Sequence, residues 1–426
     1  MTCSTINELI GETILVVSKE RFVSLAAIDG HLDLLKFALD CKYEWSTDAC
    51  SNAALNGHLE ALQWLREHGC PWDESVCLNA ALGGHLDVLR WATSNDYEET
   101  AFYHLKWNRR LCANAALGGH LDVLQWAREN KYEWDPSVCS GAANGGHFDI
   151  LKWARDNGCD WDYWTCSNAA KNGHLEILKW ARANECAWNH LTSFYAASNG
   201  HFNVFVWAML NDCVFVSATF LVIAKNGHLK ILQWAKSNGH ELDAVCSGAA
   251  LGGHLDIIQW ARNNGCKWDC STCANAARGG HLNILQWALL NGCPWDETTC
   301  SEASNAGHLD ILQWVRQNGC PWNENTCSSA AFIVRMDILQ WARQNGCPWD
   351  ESTCSHAVVQ GHLNILQWAR LNGCPWNENT CLHAVMNDQL NILIWARQNG
   401  CLWDRDRCLQ CASDDKIIKW IHENSQ

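Results

Sequence analysis

The chain has 426 residues, of which 48% are hydrophobic and 18% charged, so it is too apolar to stay disordered and long enough for several domains or one extended array. A formal charge of −15 gives no general basic footprint, which argues against nucleic-acid backbone binding as the main activity and favours a protein partner with a basic or mixed surface. Its 26 cysteines read as reduced thiols, since disulfide frameworks belong to short secreted domains that cannot build a core and nothing here points to secretion.

In chain order, residues 1–20 are an N-terminal segment. The start, MTCSTINELIGETILVV, has neither a basic leader nor a small-residue cleavage site. No apolar run reaches the roughly 18 to 20 residues of a membrane span. The expectation is a soluble, monomeric, intracellular and cytoplasmic chain that touches no membrane and no nucleic acid.

From residue 21 the sequence repeats. The His of a Gly-His-Leu triplet, or Gly-His-Phe at two positions, marks the phase at His31, His58, His85, His120, His147, His174, His201, His228, His254, His281, His308 and His362, and the usual step is 27. Arg335, Gln389 and Asp414 hold the same place in degenerate copies, giving fifteen units. Six residues after the marker comes a Trp in fourteen copies, Trp64 through Trp420, and eleven more occupy the following loop, Trp45 through Trp403. These account for 25 of the 27 tryptophans, so Trp serves the repeat and should form a packed spine.

One unit predicts two short helices. In WDESVCLNAALGGH, Asp73 caps the first, Ala80 and Ala81 permit close packing, and Gly83 or Gly84 takes the left-handed conformation that ends it. In HLDVLRWATSN, Leu86, Val88, Leu89 and Ala92 fall at helical spacing. Such a pair cannot bury its own apolar stripe, but stacked neighbours can. Acidic loop residues such as Asp296, Glu297, Asp350 and Glu351 read as helix caps and first-turn dipole partners.

NAALNGHLEALQWLREHG resembles the ankyrin repeat, with Ala-Ala closing the first helix, Asn-Gly-His-Leu-Glu turning into the second and His-Gly ending it. The similarity covers about residues 21–422, leaving 423–426 as a tail. The unit is shorter than the 33-residue ankyrin repeat, and Val76-Cys77 or Thr299-Cys300 replaces the family's Thr-Pro-Leu-His. It is most similar to shortened, Trp- and Cys-rich ankyrin arrays of large DNA viruses and some protists. The resemblance implies an all-α, ankyrin-type α-solenoid of about fifteen helix-turn-helix repeats, with shortened loops in place of β-hairpins. It also implies a non-enzymatic scaffold that binds another protein, in host cytoplasm if viral. The alternatives are a substrate-recognition adaptor for a ubiquitin ligase through an F-box-like element, and, in another class, a cysteine-rich metal-binding or redox-buffering protein.

The metal reading is the weaker one. His58 opens a second helix and Cys70 lies twelve residues on, roughly 18 Å away along a helix, so the two share no ion. Twelve cysteines fall in first helices and ten in loops, where a free thiol acts as a small buried hydrophobe. The cluster Cys266, Cys270 and Cys273 lacks the second ligand pair of a zinc ribbon. The repeated His, at a helix start, suits a bond to backbone or packing against a neighbouring unit. No phosphate loop, nucleophile elbow or H-E-x-x-H pair occurs. No cofactor and no catalytic residue is expected.

Binding should therefore lie where the repeats differ. The step from His85 to His120 carries 8 extra residues, within about 94–111, and places Tyr97, Phe102, Tyr103, His104, Trp107, Arg109 and Arg110 outside the register. Aromatics and Arg are what binding hot spots favour; the competing reading is a repacked joint between repeats. Further along, Val214, Phe215 and Val216 replace a polar loop and should form a buried patch or bend. Around FIVRMD, Ile333 and Arg335 replace Gly and His and should distort one turn.

Overall fold

The structure is a computed structural model that describes residues 19–94 and 101–424, with side chains for 21–93 and 109–424. Among these residues the chain forms thirty helices and no strand. It divides into two compact units, Met1–Val216 and Ser217–Gln426. The first holds seven helix pairs and the second eight. Each unit is an α-solenoid of helix pairs in which first helices stack on first helices and each second helix packs on its own first.

Most of the described repeats share two turns of the same kind. In Thr47–Leu55, Gly57 takes φ +74°; its N–H bonds the Ala54 carbonyl at 3.3 Å and the His58 N–H bonds that of Ala53 at 2.9 Å. Second helices close likewise: Gly158 at φ +79° bonds Arg155 at 3.0 Å, and Cys159 bonds Ala154 at 2.9 Å. Both are Schellman closures, which satisfy carbonyls the helix leaves open and bring the following residue back against it. The strings Gly-His and Gly-Cys are thus two helix ends. Starts are capped as expected, with the Asp73, Asp296 and Asp350 carboxylates accepting from the N–H of Ser75, Thr298 and Ser352 at 2.9, 3.0 and 3.1 Å.

The core is built from small first-helix residues facing branched second-helix ones. Cys50, Ala53 and Ala54 are buried with Leu62 and Leu65, and Ala80 and Ala81 with Val88 and Leu89. Small side chains let first helices approach closely enough for the Leu and Ile of second helices to seal the space between repeats.

Three expectations need correction. The phased tryptophans are half-buried rather than a spine: the core belongs to Ala, Leu, Ile and Cys, and Trp is too wide for the close first-helix spacing. Val214 and Val216 are 63% and 45% exposed, so the 214–216 loop is no buried patch; only Phe215 turns in, its ring 5.5 Å from that of Phe205. The turn at Arg335 keeps its shape, because Val334 adopts φ +65°, a left-handed conformation strained for a β-branched residue.

Candidate binding surface

The insertion enters the fold as an elongated first helix, Ala101–Gly118, of 18 residues where most have nine or ten. Tyr97 lies outside the described residues, as do the side chains of Phe102, Tyr103, His104 and Trp107, which fall on the added turns. Arg109 and Arg110 are exposed and reach opposite ways. Arg110 pairs with Glu74 of the preceding repeat at 2.7 Å, and Arg109 with Glu133 of the following loop at 3.4 Å. The two arginines therefore strap three repeats together. Both pairs are solvent-screened, so the strap sets register more than stability.

The repeated histidines are committed to stacking. Nε2 of His58, His85, His120 and His147 donates to the carbonyls of Ile28, Leu55, Leu82 and Leu117 at 2.9 to 3.0 Å. In the second unit His254 and His281 reach Lys225 and Leu251 at 3.1 and 3.3 Å. Each acceptor lies at the end of the preceding repeat's first helix, where a carbonyl has no partner in its own helix. Since a carbonyl only accepts, Nε2 carries the hydrogen. Arg335 also reaches the preceding repeat, but two residues past its helix end, Nη1 donating to the Gly307 carbonyl at 2.7 Å, steadied by both oxygens of Asp337.

The cysteines close units. Loop thiols donate to the cap carbonyl that starts their own repeat, Cys186 to Asp162 at 3.3 Å and Cys320 to Asp296 at 3.3 Å. First-helix thiols lie against them twenty residues earlier. Contact with Cys186, then burial, pushes Cys166 up, and Cys320 acts likewise on Cys300. Burial alone pushes Cys77 up to about 11. These first-helix thiols, kept protonated, are poor nucleophiles and poor metal ligands, whereas the hydrogen bond from Cys166 holds its loop partner Cys186 below the usual thiol range. Cys273 pairs with Cys293 rather than with Cys266 or Cys270. Among the described residues no three of His, Cys, Asp and Glu converge to hold an ion.

A third ladder faces solvent, and sequence reasoning missed half of it. Loop Trp rings after the first repeat meet the helix Trp of the next repeat edge to face, Trp134 with Trp153 at 5.7 Å between centroids and Trp349 with Trp368 at 5.9 Å, while Trp45 meets Trp64 tilted. Over the other side of the loop ring lies an Arg, Arg155 on Trp161 at 4.3 Å and Arg262 on Trp268 at 4.2 Å. The same guanidinium donates to a loop carbonyl, Arg262 to Cys266 at 2.8 Å. The signal was present as Arg and Trp six positions apart in one unit after another. Trp164 was also overlooked: with Trp107 it is off the repeat phase, and it stands 38% exposed beside Tyr163, ring centroids 5.1 Å apart.

Residues 47–93 and 139–182 match the family model for ankyrin repeats in many copies. Each matched segment takes in two helix pairs described above. No curated protein sequence matches this chain. Among solved structures, the maize pentatricopeptide repeat protein PPR10 is 12% identical over 100% of this chain and 83% of its own, with a TM-score of 0.32. PPR10 in complex with an 18-nt psaJ RNA element covers 98% and 68% at 12% identity and a TM-score of 0.35. The human ASB11 ankyrin repeat domain is 15% identical over 43% of this chain and 84% of its own, with a TM-score of 0.25. Among the described residues no helix is long and apolar enough to cross a membrane.

Proposed function

We propose that the chain is a non-enzymatic scaffold of ankyrin-repeat type that binds another protein. One observation carries the reading: the residues with the most chemistry, His and Cys, are spent on backbone carbonyls between and within repeats. General acid-base work needs a free, tuned group in a pocket. What remains for a partner are the positions where the repeat is broken.

The insertion is the first of these, with Tyr97, Phe102, Tyr103, His104 and Trp107 as anchors and Arg109 and Arg110 fixing the helix that carries them. Trp164 offers a second anchor. The net charge of −15 supports a partner with a basic or mixed surface over nucleic acid. A narrower form of the reading is a substrate-recognition adaptor for a ubiquitin ligase, which would require the full chain to capture ligase subunits together with its client.

The test replaces Tyr103 and Trp107 with Ser in the full chain. Partner capture should weaken by about tenfold or more, as expected when two hot-spot aromatics are lost, with the melting temperature nearly unchanged. Faster hydrogen exchange in the repeats around Trp91 and Trp126, with capture intact, would make the insertion a packed joint and overturn the assignment.

A further inference from the structure

In the second unit, one position of the first helices changes chemistry toward the C-terminal end. Two residues after the helix Cys, Asn79, Asn114 and Asn168 donate Nδ2 to the carbonyls of Ser51, Leu78 and Ser140 in the preceding repeat, at 3.3, 3.1 and 3.2 Å. Later copies carry His356 and His383 there. His356 keeps the bond, Nδ1 to the Ser328 carbonyl at 3.3 Å, and its ring meets Phe332 edge-on at 5.6 Å. His383 does not keep it: its Nδ1 is buried without a hydrogen-bond partner.

His383 lies in helix Glu378–Met386, between helix Glu351–Val359, which presents His356, and helix Arg405–Cys411, which presents Arg407. Nearby charges are otherwise engaged. Arg397 of its own second helix stacks on Trp403, Asp388 accepts from Ser413, and Arg405 pairs with Asp406. The ring thus has the Arg407 cation in one neighbouring helix and a second imidazole, His356, in the other, and its buried Nδ1 has no hydrogen-bond partner to receive a proton's charge.

We propose that the His356, His383 and Arg407 column makes the C-terminal repeats, about residues 351–411, an acid-sensitive segment that loosens when His383 takes a proton from solvent. Protonation gives the buried Nδ1 a hydrogen with no acceptor and sets like charges in adjacent repeats. Burial, with the charges of His356 and Arg407 added, holds His383 below the usual histidine range. The sign follows. The folded state binds fewer protons here than the unfolded one, so this contribution to stability is full above the ordinary histidine pKa of about 6.5 and is lost as pH falls through and below it. In a repeat array such a loss stays local, because stability is a sum of unit and interface terms.

Hydrogen exchange of the full chain at about pH 7.5 and about pH 5.5, corrected for intrinsic rates, tests this. Protection over residues 378–411 should fall measurably, by at most about tenfold for one histidine, at the lower pH while residues 270–317 hold theirs. H383N, which installs the residue found at Asn168, should remove the fall, and R407Q should reduce it. An equal fall in both segments, or a fall that persists in both variants, would overturn the proposal.

Discussion

His120 donates its Nε2 hydrogen to the carbonyl of Leu82 at 3.0 Å, and its ring fills the space a Cβ on Gly84 would need, with Nδ1 only 2.2 Å from that point. One side chain therefore caps the preceding helix and packs on the glycine that ends it. Gly84 and Gly158 share φ +79°, yet nothing lies within 4 Å of a Cβ on Gly158. The pair separates backbone strain from packing. G158A should cost about 1 to 2 kcal/mol, the left-handed penalty alone. G84A should cost clearly more, because His120 must move and its bond to Leu82 weaken. Equal losses in thermal denaturation would show that the His ring contributes nothing at the joint.

Removing the donor tests the same joint from its other side. H120A leaves a helix-end carbonyl without its partner and should destabilise by about 1 to 3 kcal/mol. The effect should fall on the preceding repeat as well: exchange should rise across residues 75–94 and not only 101–129. A rise confined to the mutated repeat would contradict a link between repeats.

The Arg and Trp edge makes a third expectation. Arg262 both stacks on Trp268 and donates to the Cys266 carbonyl. R262A should cost about 1 to 2 kcal/mol from the two interactions together. R262K should recover only part, since an ammonium cannot stack flat and bond in one geometry. Full recovery by Lys would reduce the interaction to charge alone.

Much of this was legible in the sequence because the repeat states its phase in residues of fixed geometric duty. Gly57 before His58 announced a left-handed helix end, Asp73 a cap, and the Ala-Ala pairs a close approach of helices. What stayed hidden depends on neighbours that one repeat cannot reveal. Nothing local to His120 tells that its ring reaches back to Leu82, 38 residues earlier. The tryptophans misled for a related reason: regular phase identifies a structural role but not burial, and here the narrow spacing set by Ala80 and Ala81 pushes the indoles to an edge. Val214 and Val216 show the converse error, apolar residues read as buried where the loop points them outward. For the candidate binding residues, composition singled out Arg109 and Arg110, but only the fold shows that both hold repeats together.

The repeated His bonds tie each repeat to the one before it and the repeated Cys bonds close each repeat on itself, which assigns both residue types to structure rather than to metal or redox chemistry. The most direct test is to measure the bound metal of the purified full chain and its thermal unfolding, in reductant with and without a strong zinc chelator. The expected result is less than about one equivalent of zinc per chain and a melting temperature unmoved by the chelator, since among the described residues no three of His, Cys, Asp and Glu converge to hold an ion. Stoichiometric metal, with unfolding on its removal, would contradict it and make the cysteines ligands.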